Sequence, residues 1–169
     1  MINVKFDDRQ VKDALGKLVA RGKNLRPAFK EIGEDMKEST KQRFSTATAP
    51  DGTPWAPNSP VTLENYLGAF KGSHKKDGSL SKAGTARSAA KKPLTGETKA
   101  LQTTIGYQLE GDSGVSIGSP QIYAAMQQFG GTKAQFPNLW GNIPARPFLG
   151  VSDSDRENIL EIVGSYLVG

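Results

Sequence analysis

The chain has 169 residues and no cysteine, which excludes disulfide bonds and thiolate chemistry and fits a reducing cytoplasm. This length predicts a single domain over residues 1–169, and no apolar run approaches the ~20 residues that cross a bilayer. The formal charge of +5 is uneven, because residues 71–92 hold seven Lys or Arg against one acid while the remainder is close to neutral. The start of the chain lacks the basic and apolar regions of a signal peptide.

Two helices are predicted after a short strand, "INVKF", at 2–6. Asp7 or Asp8 caps the first helix, which ends at Gly22. Pro27 lies in the first turn of a longer second helix. The apolar face of the first helix consists of Val11, Leu15, Leu18 and Val19. The apolar stripe of the second consists of Leu25, Phe29, Ile32, Met36 and Phe44, opposite a face of alternating Lys and Glu.

Shorter elements follow the proline-rich loop at 49–60. Ser59 is the predicted cap of a short helix with Pro60 at its first position. "TTIGYQL" and "GVSIG" alternate across a glycine-containing turn and predict a β-hairpin. The remaining predicted elements are a helical turn within 94–101, a helix that begins near Pro120 and has Gly130 as its C′ residue, a strand over 148–151, and a last helix capped by Asp153 or Ser154 that buries Ile159, Leu160, Val163, Tyr166 and Leu167.

This order of elements predicts an α+β fold. Long amphipathic helices pack on a small, mostly antiparallel sheet, with extended proline-rich loops and a basic flexible insertion. Residues 71–92 are rich in Gly, Ser, Ala and Lys and hold almost no bulky apolar side chain. We therefore expect a mobile basic loop there.

The sequence offers candidates for three kinds of active site. "GDSG" at 111–114 matches a serine-hydrolase motif with Ser113 as nucleophile, but the single histidine, His74, lies in the basic loop, and a hairpin turn explains the motif better. The acidic pairs near helix starts are better explained as caps than as metal ligands. No phosphate-binding glycine motif is present. We therefore expect no catalytic, cofactor-binding or metal-binding residues.

Trp55 and Trp140 are the two tryptophans, and both lie among prolines and glycines. One interpretation is that each folds back onto the core of its own domain. Another is that rigid loops present them to a partner, because tryptophan is enriched at binding hot spots and a stiff loop loses less entropy on binding. A third is that Trp55 becomes buried only when subunits assemble.

Five segments taken in order carry a family resemblance. They are "RF" at 43–44, "PDGTPWAPNSP" at 50–60, "LTGETKALQTTI" at 94–105, "GVSIGSPQIYAAMQQFGG" at 114–131 and "IPARPFLGVSDSD" at 143–155. Together they resemble the virion morphogenesis family of tailed, Mu-like phages, also described as tail-completion or neck proteins. The resemblance covers nearly the whole chain outside 71–92.

The resemblance implies a non-enzymatic structural protein of the virion, made in the host cytoplasm and located at the head–tail junction or the upper end of the tail. Related components form rings, commonly sixfold, through which DNA passes. The implied partners are further copies of the chain, the head connector or stopper, and tail terminator or tail tube proteins, with no membrane. Contacts between subunits or rings are expected from Pro54, Trp55, Pro57, Tyr123, Phe129, Trp140, Arg146 and Phe148.

The basic segment leaves a second function open. Mobile Lys and Arg bind nucleic acid by counterion release, so the chain could be a DNA-binding packaging or assembly accessory. The same segment could instead bind an acidic protein surface or have no partner at all. The residues that would make this contact are Lys71, Lys75, Lys76, Lys82, Arg87, Lys91 and Lys92.

Overall fold

The computed structural model describes residues 9–139 and 141–168. The predicted strand at 2–6, the caps Asp7 and Asp8, and Trp140 lie outside the described residues. Within the described ranges the fold is α+β, as predicted, with seven helices and one two-stranded sheet. The helices are α1 Arg9–Gly22, α2 Arg26–Thr46, α3 Pro60–Gly68, α4 Lys82–Ala90, α5 Ala100–Thr103, α6 Ala124–Phe129 and α7 Asp153–Val168, and the strands are β1 Gly106–Glu110 and β2 Gly114–Gly118. None of these helices combines the length and the apolarity of a bilayer span.

Helix α2 is the central element of the fold and confirms its prediction. Pro27 occupies its first turn, where no backbone N–H is needed, and Ala47 ends it in the left-handed conformation at φ 57°. The outer face carries the expected i,i+3 pairs, Lys37 with Glu34 and Lys41 with Glu38. The apolar stripe faces inward, where it packs against the hairpin and α7.

The hairpin packs on α2 through a glycine. β1 and β2 are antiparallel, with Tyr107 opposite Ile117. Gly111 adopts φ 60° in the connecting turn, which favours glycine. Gly33 of α2 is buried against the Tyr107 ring, and a Cβ at Gly33 would overlap that ring. The absence of a side chain at Gly33 therefore sets how closely helix and hairpin approach.

The core lies where α2, the proline loop and the segment before α7 meet. The Phe44 ring contacts Trp55 edge-on at 5.3 Å between centroids and Phe148 at 5.5 Å. Leu101 and Ile105 complete this cluster from α5 and the start of the hairpin. Aromatic pairs at these distances stabilise a core by about 0.5–1.5 kcal/mol each beyond the area that they bury.

A buried ion pair joins α2 to α7. Arg43 Nη2 donates to Asp155 Oδ2 at 2.5 Å, and Arg43 Nη1 donates to the carbonyl oxygens of Phe148 and Gly150 at 2.8 and 2.9 Å. The N-cap of α7 is Ser152, because the Asp155 N–H donates to Ser152 Oγ and the Ser152 N–H donates to Asp155 Oδ2. The expected caps Asp153 and Ser154 are thus wrong by one or two residues.

Three further predictions from the second half of the chain need correction. Residues 148–151 form no strand, because the N–H groups of Phe148 and Leu149 both donate to Gln128 Oε1 instead of to a neighbouring strand. Within 94–101 only Ala100 and Leu101 are helical, since Lys99 precedes α5 with φ 50°. Leu160 of α7 is exposed and not buried.

The basic segment contains regular structure, whereas its composition predicts a mobile loop. Ser81 caps α4 by accepting from the Gly84 N–H at 3.0 Å. Gly84 packs so closely on Ser73 that a Cβ would overlap the Ser73 carbonyl group. The Ser81 N–H donates to that carbonyl oxygen at 2.9 Å. The segment is held by backbone bonds and small-residue contacts, so its lack of bulky apolar residues does not prevent regular structure.

Candidate assembly surfaces

The proline loop is fastened to its own chain by Trp55. The indole Nε1 donates to the carbonyl oxygen of Pro147 at 2.8 Å, and the side chain is only 6% exposed. The Trp55 N–H donates to the carbonyl oxygen of Ala47 at 2.8 Å, which closes the loop on the end of α2. Asp51 Oδ1 accepts from the Thr53 N–H at 2.9 Å, and this bond holds the pKa of Asp51 below its usual range.

Arg146 fastens the other end of the proline loop. Its Nε and Nη2 donate to the carbonyl oxygens of Ala56 and Pro57, each at 2.7 Å. The residue is 8% exposed, and this burial lowers the pKa of the guanidinium from its ordinary value. Arg146 also borders a cavity of about 470 Å³ whose walls include Lys91, Leu94 and Ile143.

Phe148 lies fully inside the chain, and Gln128 fixes the backbone around it. Gln128 Oε1 accepts from the Phe148 and Leu149 N–H groups at 2.9 and 3.0 Å, while its Nε2 donates to the Leu149 carbonyl oxygen at 2.9 Å. The backbone of Phe148 and Leu149 lies in an irregular segment that has no strand partner. The Gln128 side chain, from α6, therefore takes the place of a neighbouring strand for this stretch.

The interpretation of Trp55, Arg146 and Phe148 as contacts to another subunit is therefore corrected. All three side chains are buried within a single chain, so they have almost no surface to offer a neighbour. For Trp55 the first interpretation, folding back on its own core, is confirmed, and burial only upon assembly is wrong. Pro54 and Pro57 are exposed on the same loop, so their role as contacts stays a prediction.

An apolar surface surrounds α6, and we call it the α6 patch. It consists of Ile122, Met126, Phe129 and Phe136. Met126 and Phe129 lie on one face of α6 by their spacing, and Ile122 lies in the turn just before the helix. Ile122 is fully exposed and Phe129 is 77% exposed. Gly131, beside Met126 and Phe136, has no room for a Cβ. Tyr123 is exposed next to the patch.

The basic residues of the segment differ in their contacts. Lys71, Lys75, Lys76 and Lys82 are exposed, and Lys92 is exposed as well. Three of the basic residues bind their own chain, in contacts that the sequence pattern did not reveal: Arg87 lies over the Phe70 ring at 5.2 Å, Lys91 over the Tyr66 ring at 4.7 Å, and Lys92 Nζ donates to the Ser45 carbonyl oxygen.

The arrangement provides none of the catalytic geometry that "GDSG" could have indicated. Ser113 lies in the hairpin turn, where its Oγ donates to the Glu110 carbonyl oxygen at 3.4 Å. His74 lies near α3, with Nε2 3.1 Å from Glu64 Oε1. Ser113 and His74 thus have other partners, not each other. Among the described residues no cluster of three or more His, Asp or Glu is placed to hold a metal ion.

The surface and core together define a protein with a well-bonded interior and uncovered apolar faces, a form typical of assembly components. The chain belongs to the phage virion morphogenesis family, whose sequence model matches residues 6–168. This is a family of structural and assembly proteins, not of enzymes.

A relative in Escherichia phage Mu matches one part of the chain. It is named "Putative capsid assembly protein G", and it is 43% identical over 47 residues. The match covers 28% of this chain and 30% of the Mu protein, so it spans less than a third of either. No solved structure matches the chain.

Proposed function

We propose that this chain is a structural virion protein that forms a ring at the head–tail junction, with DNA passing through the ring. Membership of the virion morphogenesis family supports a role in building the particle. The name of the Mu relative, a putative capsid assembly protein, supports action at or near the head. The partners in this proposal are further copies of the chain, the head connector or stopper, and tail terminator or tail tube proteins.

The α6 patch is the observation that carries the self-assembly part of this proposal. Single exposed apolar residues are common, but here two large ones flank the same short helix, Ile122 just before α6 and Phe129 at its end. Gly130, at φ 71°, ends α6, and the Gly131 and Ile143 backbones pair beyond it, so the patch stands on a fixed support. A rigid apolar face of this kind loses little entropy when a neighbour covers it.

The ring is tested first by the mass of the purified chain. Native mass spectrometry and light scattering at increasing protein concentration are expected to give one closed oligomer, commonly a hexamer in such rings. Cryo-electron microscopy of the virion is then expected to place that ring at the junction. A chain that stays monomeric at all concentrations, and that is missing from purified virions, contradicts the proposal.

A second candidate function, a DNA-binding assembly accessory, is favoured by the folded basic segment. Lys75, Lys76 and Lys82 are exposed around the turn that the His74–Leu80 bridge closes. Each phosphate contact releases counterions, so binding through these lysines would weaken steeply as salt increases. No aromatic side chain of 71–92 is available to stack on bases, so such binding would not depend on sequence.

The two functions give different results in one binding experiment. Wild-type chain and a Lys75→Ser, Lys76→Ser, Lys82→Ser variant are titrated with duplex DNA at low and moderate salt. Salt-sensitive binding that the triple variant loses supports the accessory function. Equal or absent binding by both proteins removes it and leaves the structural ring.

A further inference from the structure

Helix α1 projects from the body with its apolar side uncovered, and we call it the α1 arm. All residues from 12 to 20 are exposed, including Leu15 at 55% and Val19 at 59%. Leu15, Leu18 and Val19 lie on one face by their i, i+3, i+4 spacing. Two hydrogen bonds between the described residues join this arm to α7, and both lie at or just after its C-terminal end.

Those bonds show how the arm is attached. Arg21 Nη1 donates to the Leu167 carbonyl oxygen at 3.2 Å, and the Tyr166 hydroxyl donates to the Asn24 carbonyl oxygen at 2.6 Å. The arm is about 21 Å long at 1.5 Å per residue, so most of it extends beyond these two bonds. An isolated helix of 14 residues is marginal in water, so the arm needs a cover for its apolar face.

The charge of the arm restricts what can cover it. α1 holds four basic residues, Arg9, Lys12, Lys17 and Arg21, against one acid, Asp13. A matching surface must therefore be acidic around an apolar floor.

The same chain carries such a surface between α2 and α7, which we call the α2–α7 groove. Its lining holds four carboxylates, Glu31, Glu34, Asp35 and Glu161, together with the apolar Ile162 and no lysine or arginine among the described lining residues. The groove encloses about 400 Å³. The Glu34 carboxylate is already bound by Lys37 and Tyr107, whose hydrogen bonds lower its pKa.

The other three carboxylates of the groove have no cationic partner within the described part of the chain. Asp35 Oδ2 accepts only a weak bond from Asn158 at 3.5 Å. A basic helix in the groove would therefore supply cations to carboxylates that have none in the described part of the chain. This complementarity is between two separate surfaces of one chain, since no α1 residue lines the groove.

We propose that the α1 arm of one copy docks in the α2–α7 groove of the next copy. The inference rests on the proposed ring and names the contact that builds it. A third helix lying between two others is ordinary ridges-into-grooves packing, with Leu15, Leu18 and Val19 covering Ile162 and the aliphatic stems of the glutamates. Because arm and groove are different surfaces, the contact is head-to-tail, and contacts of this type form a ring when the rotation between neighbours closes.

The arm is tested by a matched pair of substitutions. Leu15→Glu places a charge in the apolar stripe, whereas Ala20→Glu adds the same side chain on the opposite, exposed face. Leu15→Glu is expected to weaken subunit association at least about tenfold, the loss expected when a leucine is no longer buried. Ala20→Glu is expected to retain the wild-type oligomer. Both variants keep the interior unchanged, so circular dichroism and melting should match the wild type.

The groove is tested by charge reversal. Glu161→Lys alone and Lys12→Glu alone are each expected to weaken association, and the double variant is expected to recover most of the loss. Recovery identifies the two helices as neighbours in the assembly. Unchanged association in Glu161→Lys contradicts docking of the α1 arm in the α2–α7 groove.

Cysteine cross-linking distinguishes a second copy from the chain's own groove. The natural sequence has no cysteine, so Leu15→Cys and Ser165→Cys can be made in separate chains without background. Mixing them under mild oxidation is expected to give a two-chain product in higher yield than Leu15→Cys mixed with Ser113→Cys, whose cysteine lies in the hairpin turn. A chain carrying both cysteines that closes on itself at low concentration contradicts docking on a second copy.

The failure of this contact differs from the failure of the ring. If the wild type is oligomeric but Leu15→Glu remains so and no cross-link forms, the ring stands and the arm contact is wrong. If the wild type is monomeric and absent from virions, both proposals are wrong.

Discussion

The proline loop and the α6 patch both carry large apolar side chains outside long regular elements, yet the fold uses them in opposite ways. Trp55 is buried and bonded to the Pro147 carbonyl oxygen. Ile122, in the turn before α6, and Phe129, the last residue of α6, are exposed to solvent. From the sequence alone, both regions are aromatic or aliphatic anchors among turn-forming residues.

The difference comes from the unpaired carbonyl groups near each region. Prolines 144 and 147 interrupt the segment before α7, so its carbonyl oxygens have no strand partner, and Trp55 and Arg43 donate to them instead. The exposed side chains of the α6 patch, Ile122 and Phe129, carry no hydrogen-bond donor. A side chain with a hydrogen-bond donor is thus buried where carbonyl oxygens lack a partner. Purely apolar side chains stay exposed, where a partner can cover them.

The largest effect is expected from Trp55→Ala. The variant loses about 3–5 kcal/mol of unfolding free energy from the cavity next to Phe44, and about 1 kcal/mol more from the lost bond to Pro147. Urea denaturation measures this loss, with Phe136→Ala as an exposed aromatic control. An unchanged midpoint together with lost assembly would show that Trp55 is a partner anchor after all.

Asp155→Ala is expected to cost about 3–5 kcal/mol, because it leaves Arg43 buried without its charge partner. The matched control is Asp153→Ala, which removes an exposed acid from the same helix turn and should cost less than about 1 kcal/mol. Thermal melting of both variants at neutral pH compares them. Equal losses would show that the Arg43–Asp155 pair does not hold α7 on α2.

The same pair predicts an acid limit to stability. Burial alone raises the pKa of Asp155, but hydrogen bonds from Ser39 and Ser152 and the Arg43 charge bring it below its ordinary value of 3.8. Since the folded pKa is lower than the unfolded one, this contribution is complete above about pH 4 and is lost as the pH falls through the folded pKa. The unfolding free energy of the wild type should fall there more steeply than that of Asp155→Asn.

The sequence predicts elements well where their signals are local. Helix α2 follows from an apolar stripe and a first-turn proline, and the hairpin follows from alternation around Gly111. The absent strand at 148–151 could not be predicted, because its N–H groups bond to Gln128, some twenty residues away and on another element. Helix α4 was missed because contacts between Ser73 and Gly84 replace apolar burial, and composition does not report them.

The candidate surfaces were predictable only in part. Tyr123 and Phe129 are exposed, as a contact surface requires, and their contact role stays a prediction. Nothing in the sequence indicates that the α1 stripe is exposed, because Leu15, Leu18 and Val19 have the same spacing as the stripe that is buried in α2. Amphipathic spacing shows which side of a helix needs a cover, but not whether the cover comes from the same chain.

Gly33→Ala tests how closely α2 packs against the hairpin. The added methyl group would overlap the Tyr107 ring, so either the ring or the hairpin must move. We expect a loss of about 1–3 kcal/mol, the usual cost of overpacking. Gly16→Ala in the α1 arm is the control, since its Cβ meets nothing within 4 Å and alanine favours a helix. A stability gain at both positions would contradict the close approach of α2 and β1.

The smallest effect on stability, and the sharpest contrast with Trp55, is expected from Ile122→Ser with Phe129→Ser. Both side chains are exposed, so each change should alter the unfolding free energy by less than about 0.5 kcal/mol. If the α6 patch is covered in the assembly, the same double variant loses most of its oligomer in light scattering while its urea midpoint stays constant. The double variant thus distinguishes the two regions in one experiment. Substituting a buried anchor such as Trp55 lowers the unfolding free energy, whereas substituting the exposed α6 patch changes subunit association alone. An oligomer that persists in the double variant would leave the α6 patch as exposed surface and transfer the self-assembly role to other faces of the chain.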